Sequence, residues 1–150
     1  MTDVTGEVKA GARDSSLQGR GRVNRVEEPG VPEGPALDEL IEEWLDWAQA
    51  GQLLGVSASK VRQLIREHQL AAAVPSPGAG QKVPAALIQD GVIVKGVPGA
   101  CTVLHDGGYD DRFVLAWLFT PDDTLPGRPI DALRENRGAE VKRRAQALAF

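Results

Sequence analysis

The stretch LLGVSASKVRQLIREHQL, residues 53–70, gathers the side chains of this chain best suited to recognising a polyanion. At helical spacing, Val61, Leu64, Ile65 and His68 share one stripe, while Ser59, Lys60, Arg62, Gln63 and Arg66 fall on the opposite side. Arg and Lys neutralise phosphate, and Ser, Lys and Gln near a helix N-terminus can reach base edges in a major groove. On that chemistry, Ser59, Lys60 and Gln63 are assigned to bases and Arg62 and Arg66 to phosphates. Ser57 is the natural N-cap of the helix.

Other reactive-looking residues carry less. SASK (57–60) matches an acylating Ser-x-x-Lys, but no S-D-N or K-T-G accompanies it, and a cap accounts for Ser57. GAGQKV has Val83 where a dinucleotide fingerprint needs a third glycine, so a hairpin tip is expected. His105–Asp106 has Cys101 and Thr102 nearby on the same short helix, with no third orienting group in view. A histidine near a helix C-terminus is favoured by the dipole. Two histidines and one cysteine fit no familiar zinc spacing. Asp122–Asp123 read as a turn cap, and Trp44, Trp47 and Trp117 as core or interface residues. The sequence therefore predicts no enzyme, no cofactor and no metal.

Positioning the cationic helix requires a supporting helix and a turn. ALDELIEEWLDWAQAGQLLG (36–55) places Leu37, Leu40, Ile41, Trp44, Leu45 and Ala48 at helical spacing. A break is predicted near Asp46, which caps a second helix ending at Gly55. Val56 is expected to plug the turn. After Leu70, LAAAV and QKVP flank PSPGAG, a Pro/Gly tip that predicts a hairpin with Lys82 at its base. Pro84 begins a short turn, and Ala86–Ile88 return to the core. From Val92 onward the pattern reads as helical. Pro98 opens one helix, stopped by Gly107–Gly108; Asp110 or Asp111 caps the next, with Val114, Trp117 and Leu118 facing one way. Pro129 starts a short helix, and a last one turns Val141, Ala145 and Leu148 inward and Lys142, Arg143 and Arg144 outward.

The predicted architecture is mainly α: a disordered arm and linker (1–36), a winged helix-turn-helix with a small β-hairpin wing (37–91), and a C-terminal α-helical domain (92–150). The chain of 150 residues carries a net charge of −4, which by itself disfavours a nucleic-acid binder. The distribution matters more: residues 27–50 hold eight acidic and no basic side chains, whereas 51–82 hold Lys60, Arg62, Arg66 and Lys82 against Glu67 alone. One cysteine, no apolar leader and no membrane-length apolar run fit a cytoplasmic, nucleoid-associated protein. In the arm, Arg13, Arg20, Arg22 and Arg25 can add phosphate contacts. Phosphate on Thr2, Thr5, Ser15 or Ser16 would offset about two of those charges.

The order helix, glycine turn, capped helix, hairpin is that of a winged helix-turn-helix reading duplex DNA. The competing reading is a helical hairpin whose basic face is merely solvated; the Pro/Gly hairpin and the local positive charge favour DNA. Residues 53–70 resemble the helix-turn-helix of the excisionase and MerR-like groups. From about Trp47 to Phe150 the chain is similar to an actinobacterial family of winged-helix DNA-binding proteins. LHDGGYDD, WLFTPDDTL, PIDAL and VKRRAQALAF carry most of that likeness. The resemblance implies transcriptional or nucleoid regulation through the winged helix. It also implies a Ser/Thr protein kinase as a partner, because the mycobacterial member is a kinase substrate. WLFTPDDTLPGRPIDAL further resembles the toxin-binding domain of Xre/ParS-like antitoxins, which implies as the alternative a protein partner at the C-terminal domain.

Overall fold

Two capped helices form the frame of the first half. Asp46 accepts from the Gln49 amide at 2.7 Å while Gln49 Oε1 accepts from the Asp46 amide, a reciprocal box that starts α2 (Trp47–Leu54). Gly55, at φ 74, ends it in the left-handed region that a side chain would resist. Ser57 Oγ then accepts from the Lys60 amide and opens α3 (Ala58–Arg66). The structure, a computed structural model, describes residues 37–150. The predicted arm, with Arg13, Arg20, Arg22, Arg25 and the four hydroxyls, lies outside the described residues.

Gly51 fixes how closely α2 and α3 meet. A β-carbon there would lie 2.5 Å from the Val56 carbonyl oxygen and 3.4 Å from the Ser57 carbonyl carbon. The turn backbone therefore rests directly on α2. Val56 does not plug that turn; it is exposed, and the backbone itself fills the space.

The helix expected from Leu37 to the break near Asp46 is not formed. One turn, α1 (Leu37–Leu40), gives way to β1 (Trp44–Leu45), which pairs antiparallel with β2 (Val83–Pro84). The apolar spacing there serves strand and loop positions equally well, since Leu37, Ile41 and Leu45 are all buried. The predicted hairpin is present but small. Ala73 and Lys82 exchange both backbone hydrogen bonds (3.1 and 2.9 Å) and close the Pro/Gly tip, beyond which the second arm joins β1.

A second hairpin was not anticipated from sequence. After a 3-10 turn (Ala85–Leu87), β3 (Ile88–Gln89) pairs with β4 (Val92–Ile93) through Asp90 and Gly91, both at positive φ. This is the backbone that Asp-Gly favours in a two-residue turn. The hairpin spans the position expected for a domain boundary and packs against α2.

Four helices complete the chain: α4 (Val97–Asp106), α5 (Asp111–Phe119), α6 (Pro129–Arg134) and α7 (Gly138–Ala149). Helix α5 is buried almost all round, with Phe113 to Ala116, Leu118 and Phe119 in the core, so a single inward stripe understates it. It packs against α1, α4 and α6, and α7 lies along α4. Val141 and Ala145 of α7 are buried as expected, but Leu148 is exposed. Among the described residues no helix is long and apolar enough to cross a membrane.

Arginines tie the later helices to the first half. Arg128 donates to Asp131 through Nε and Nη2 (both 2.9 Å), reaches Glu42 at 3.2 Å, and lies over the Phe119 ring. Arg134 donates to the Ala86 carbonyl at 2.7 Å, and Arg137 to the Leu125 carbonyl. Hydrogen bonds from Arg128 hold the Asp131 carboxyl below its ordinary range.

Two outcomes follow from this packing. Gly51→Ala loses about 1–3 kcal/mol in a denaturant melt, because the obstructing atom belongs to the backbone. Arg128→Ala loses about 1 kcal/mol at pH 7, a value limited by partial solvent exposure. Since the folded pKa of Asp131 is depressed, its share of that stability is present above about pH 3.9 and is lost as pH falls through the lower folded value. Thermal melts of wild type and variant from pH 7 downward should therefore converge in acid.

Candidate nucleic-acid interface

Helix α3 presents the face that the sequence assigns to recognition. Val61 is fully buried, whereas Ser57, Ser59, Lys60, Arg62 and Arg66 are exposed. The C-terminal helices do not cover that flank. None of Lys60, Arg62 and Arg66 pairs with a carboxylate among the described residues. The C-terminal cations contrast with them: Arg128, Arg137 and Arg144 are engaged by Asp131, Glu135 and Glu140, and Arg134 by backbone. Lys60, Arg62 and Arg66 thus form one free cationic run among the described residues, while Lys95, Arg112 and Lys142 are exposed elsewhere.

The helix begins with its dipole exposed. Ser57 spends its acceptor capacity on the Lys60 amide, leaving its hydroxyl proton and the other first-turn amides facing outward. Such an end favours a phosphate oxygen. Gln63 is half-buried and donates to Glu67 at 2.9 Å, so reading a base requires it to leave an intrahelical partner. Lys82 sits at the base of the wing, half-exposed. The glycine-bearing tip (78–80) lies in the loop closed by the Ala73–Lys82 bridge, as a hairpin tip would.

The stripe along α3 stops short of His68. That residue lies beyond the helix at φ 60, in the left-handed region, and its ring stacks on His105 with centroids 3.8 Å apart. His105 pairs with Asp111 rather than Asp106: its Nε2 lies 2.6 Å from Asp111 Oδ1. The other oxygen of Asp111 accepts from the Ala72 amide at 3.1 Å. A third orienting group therefore exists for His105, contributed by the next helix, where local spacing could not show it. Cys101 is buried in α4; burial, reinforced by the negative charge of Asp111, pushes its thiol up to about 12. Asp122 caps its turn as expected, accepting from the Thr124 amide and hydroxyl, which lowers its pKa. Trp44, Trp47 and Trp117 are half-buried, as core or interface residues would be.

A capped helix set on a glycine-packed turn, followed by a small β wing, defines a winged helix-turn-helix of the kind found in DNA-binding proteins. Residues 35–88 match the family described as "DNA-binding protein Rv2175c, wHTH domain", and residues 94–149 match "Rv2175c C-terminal domain of unknown function". The chain is 38% identical over 133 residues to the DNA-binding protein Rv2175c of Mycobacterium tuberculosis (strain ATCC 25618 / H37Rv), covering 80% of this chain and 90% of that relative. It is also similar to the NMR structure of Rv2175c, with a TM-score of 0.65 at 37% identity over 84% of this chain and 86% of that one. The chain belongs to the Rv2175c family. The segment that resembles antitoxin helices falls in the domain described as of unknown function.

Loss of the cap tests how the interface is positioned. Ser57→Ala should cost about 0.5–2 kcal/mol in a denaturant melt, and Ser57→Asp should restore most of it, because a carboxylate also accepts from the first-turn amides.

Proposed function

We propose that this protein binds duplex DNA, with α3 in the major groove and the wing on the adjacent backbone. The observation that carries this is the division of α3: Val61 is fully buried on one side while Ser59, Lys60, Arg62 and Arg66 stand in solvent on the other. The name of the mycobacterial relative supports the same reading. In this assignment Ser59, Lys60 and, once released from Glu67, Gln63 address base edges. Ser57, Arg62, Arg66 and Lys82 hold phosphates. Residues 37–91 form the reading unit and 92–150 the helical unit that braces it. The activity is non-enzymatic regulation at the nucleoid, in the cytoplasm. Arg20, Arg22 and Arg25 supply auxiliary contacts, and a Ser/Thr kinase acting on the arm weakens them.

Mobility-shift titrations at several salt concentrations test the assignment. Lys60→Ala should lose about 1–3 kcal/mol on the preferred site and relax discrimination there. Arg66→Ala should weaken binding uniformly across sequences and reduce the salt slope by about 1. Unchanged affinity in both variants would remove α3 from the interface.

A further inference from the structure

Away from the cationic face, three side chains that ligate metals converge where α3, α4 and α5 meet. His68 follows α3, His105 lies in the last turn of α4, and Asp111 begins α5. One donor atom from each lies within 4.8 Å of the other two. His105 and Asp111 are already in contact at 2.6 Å, with side chains 16% and 22% exposed.

Several features of the cluster exceed what packing alone requires. His68 occupies a positive φ, an uncommon backbone conformation for a residue other than glycine, and this holds its ring beside α4. Its Nδ1 is buried and has no hydrogen-bond partner among the described residues. Asp111 keeps its second oxygen on the Ala72 amide, the kind of outer contact that orients a ligating carboxylate.

We propose that His68, His105 and Asp111 form a divalent-cation site of the zinc class, with a remaining position open to water. Two imidazoles and one carboxylate suit a borderline ion better than the all-oxygen sets that magnesium and calcium prefer. Tetrahedral zinc, with ligand bonds of about 2.0–2.2 Å, places donors about 3.3 Å apart. The observed spread requires modest side-chain rotations and an opening of the His68–His105 stack. His68 comes from a distant part of the chain, which is why local spacing predicts no metal. Once bound, the ion would clamp the segment that follows the recognition helix to the start of α5.

The test uses the untagged, chelator-stripped full chain and ZnCl2 alone, followed by calorimetry and thermal melting. The expected result is one equivalent bound per chain, a raised melting temperature, and affinity at least tenfold weaker in each of His68→Gln and Asp111→Asn. Circular dichroism of the metal-free variants confirms that both fold; His105→Ala, which also removes the pair to Asp111, is the third variant. Cys101→Ser should leave affinity unchanged. No saturable uptake by the wild-type chain, uptake that survives both His68→Gln and Asp111→Asn, or uptake lost only with Cys101 would overturn the site.

Discussion

The carbonyl oxygen of Val56 rests 2.5 Å from where a β-carbon on residue 51 would stand. That contact sets the spacing of α2 and α3, and most of the recognition geometry descends from it. With the turn seated on bare helix backbone, Ser57 lies where its hydroxyl caps α3, and Val61 is driven into the core. Once Val61 is inward, the period of the helix leaves Ser59, Lys60, Arg62 and Arg66 no direction but outward. A close backbone approach thus specifies which side chains solvent meets, without any of them taking part in it.

The same logic explains what could be read from the sequence and what could not. Caps were legible at Asp46, Ser57 and Asp110 because an N-cap is a local device: one side chain, one amide three residues on. The glycine and proline punctuation around α4 and α6 was legible for the same reason. The helix expected from Leu37 to the break near Asp46 failed because its decisive partner, Val83–Pro84, lies far along the chain, and pairing with it overrode a helical pattern. The β3–β4 hairpin was missed although its signal is present: Asp90–Gly91 between LIQ and VIV is a strong two-residue turn. Gly51 gave no warning, since a glycine inside a helical pattern reveals its purpose only when the neighbouring backbone is in place.

His105 shows the limit most plainly. From sequence, Asp106 is the obvious neighbour, yet adjacent helical residues point about 100° apart and cannot face each other. Asp111 reaches His105 because Gly107 and Gly108 turn the chain back between α4 and α5. Room for that reversal depends on a bare backbone at Gly107, where a β-carbon would meet Ala149 of α7 at 2.6 Å. Sequence reasoning supplied the residue types; the convergence belongs to tertiary structure.

An acidic protein with a proposed DNA-reading face poses an electrostatic question that distance resolves. Over physiological salt the Debye length is about 8 Å, so exposed charges farther apart than that scarcely sense one another. A duplex approaching α3 therefore responds to Lys60, Arg62 and Arg66 more than to a net charge of −4 spread over the molecule. Glu67 is the nearby carboxylate, and it is turned toward Gln63. Arg128, Arg137 and Arg144 are bound up with Asp131, Glu135 and Glu140, and Arg134 with backbone carbonyls, which withdraws four cations from any competing positive surface, whereas Lys95, Arg112 and Lys142 stay exposed. Three free cations on one helix face also favour the approach of a duplex from that side. The acidic balance of the remainder then works for selectivity: it disfavours adhesion in any other orientation, at little expense to the one that fits.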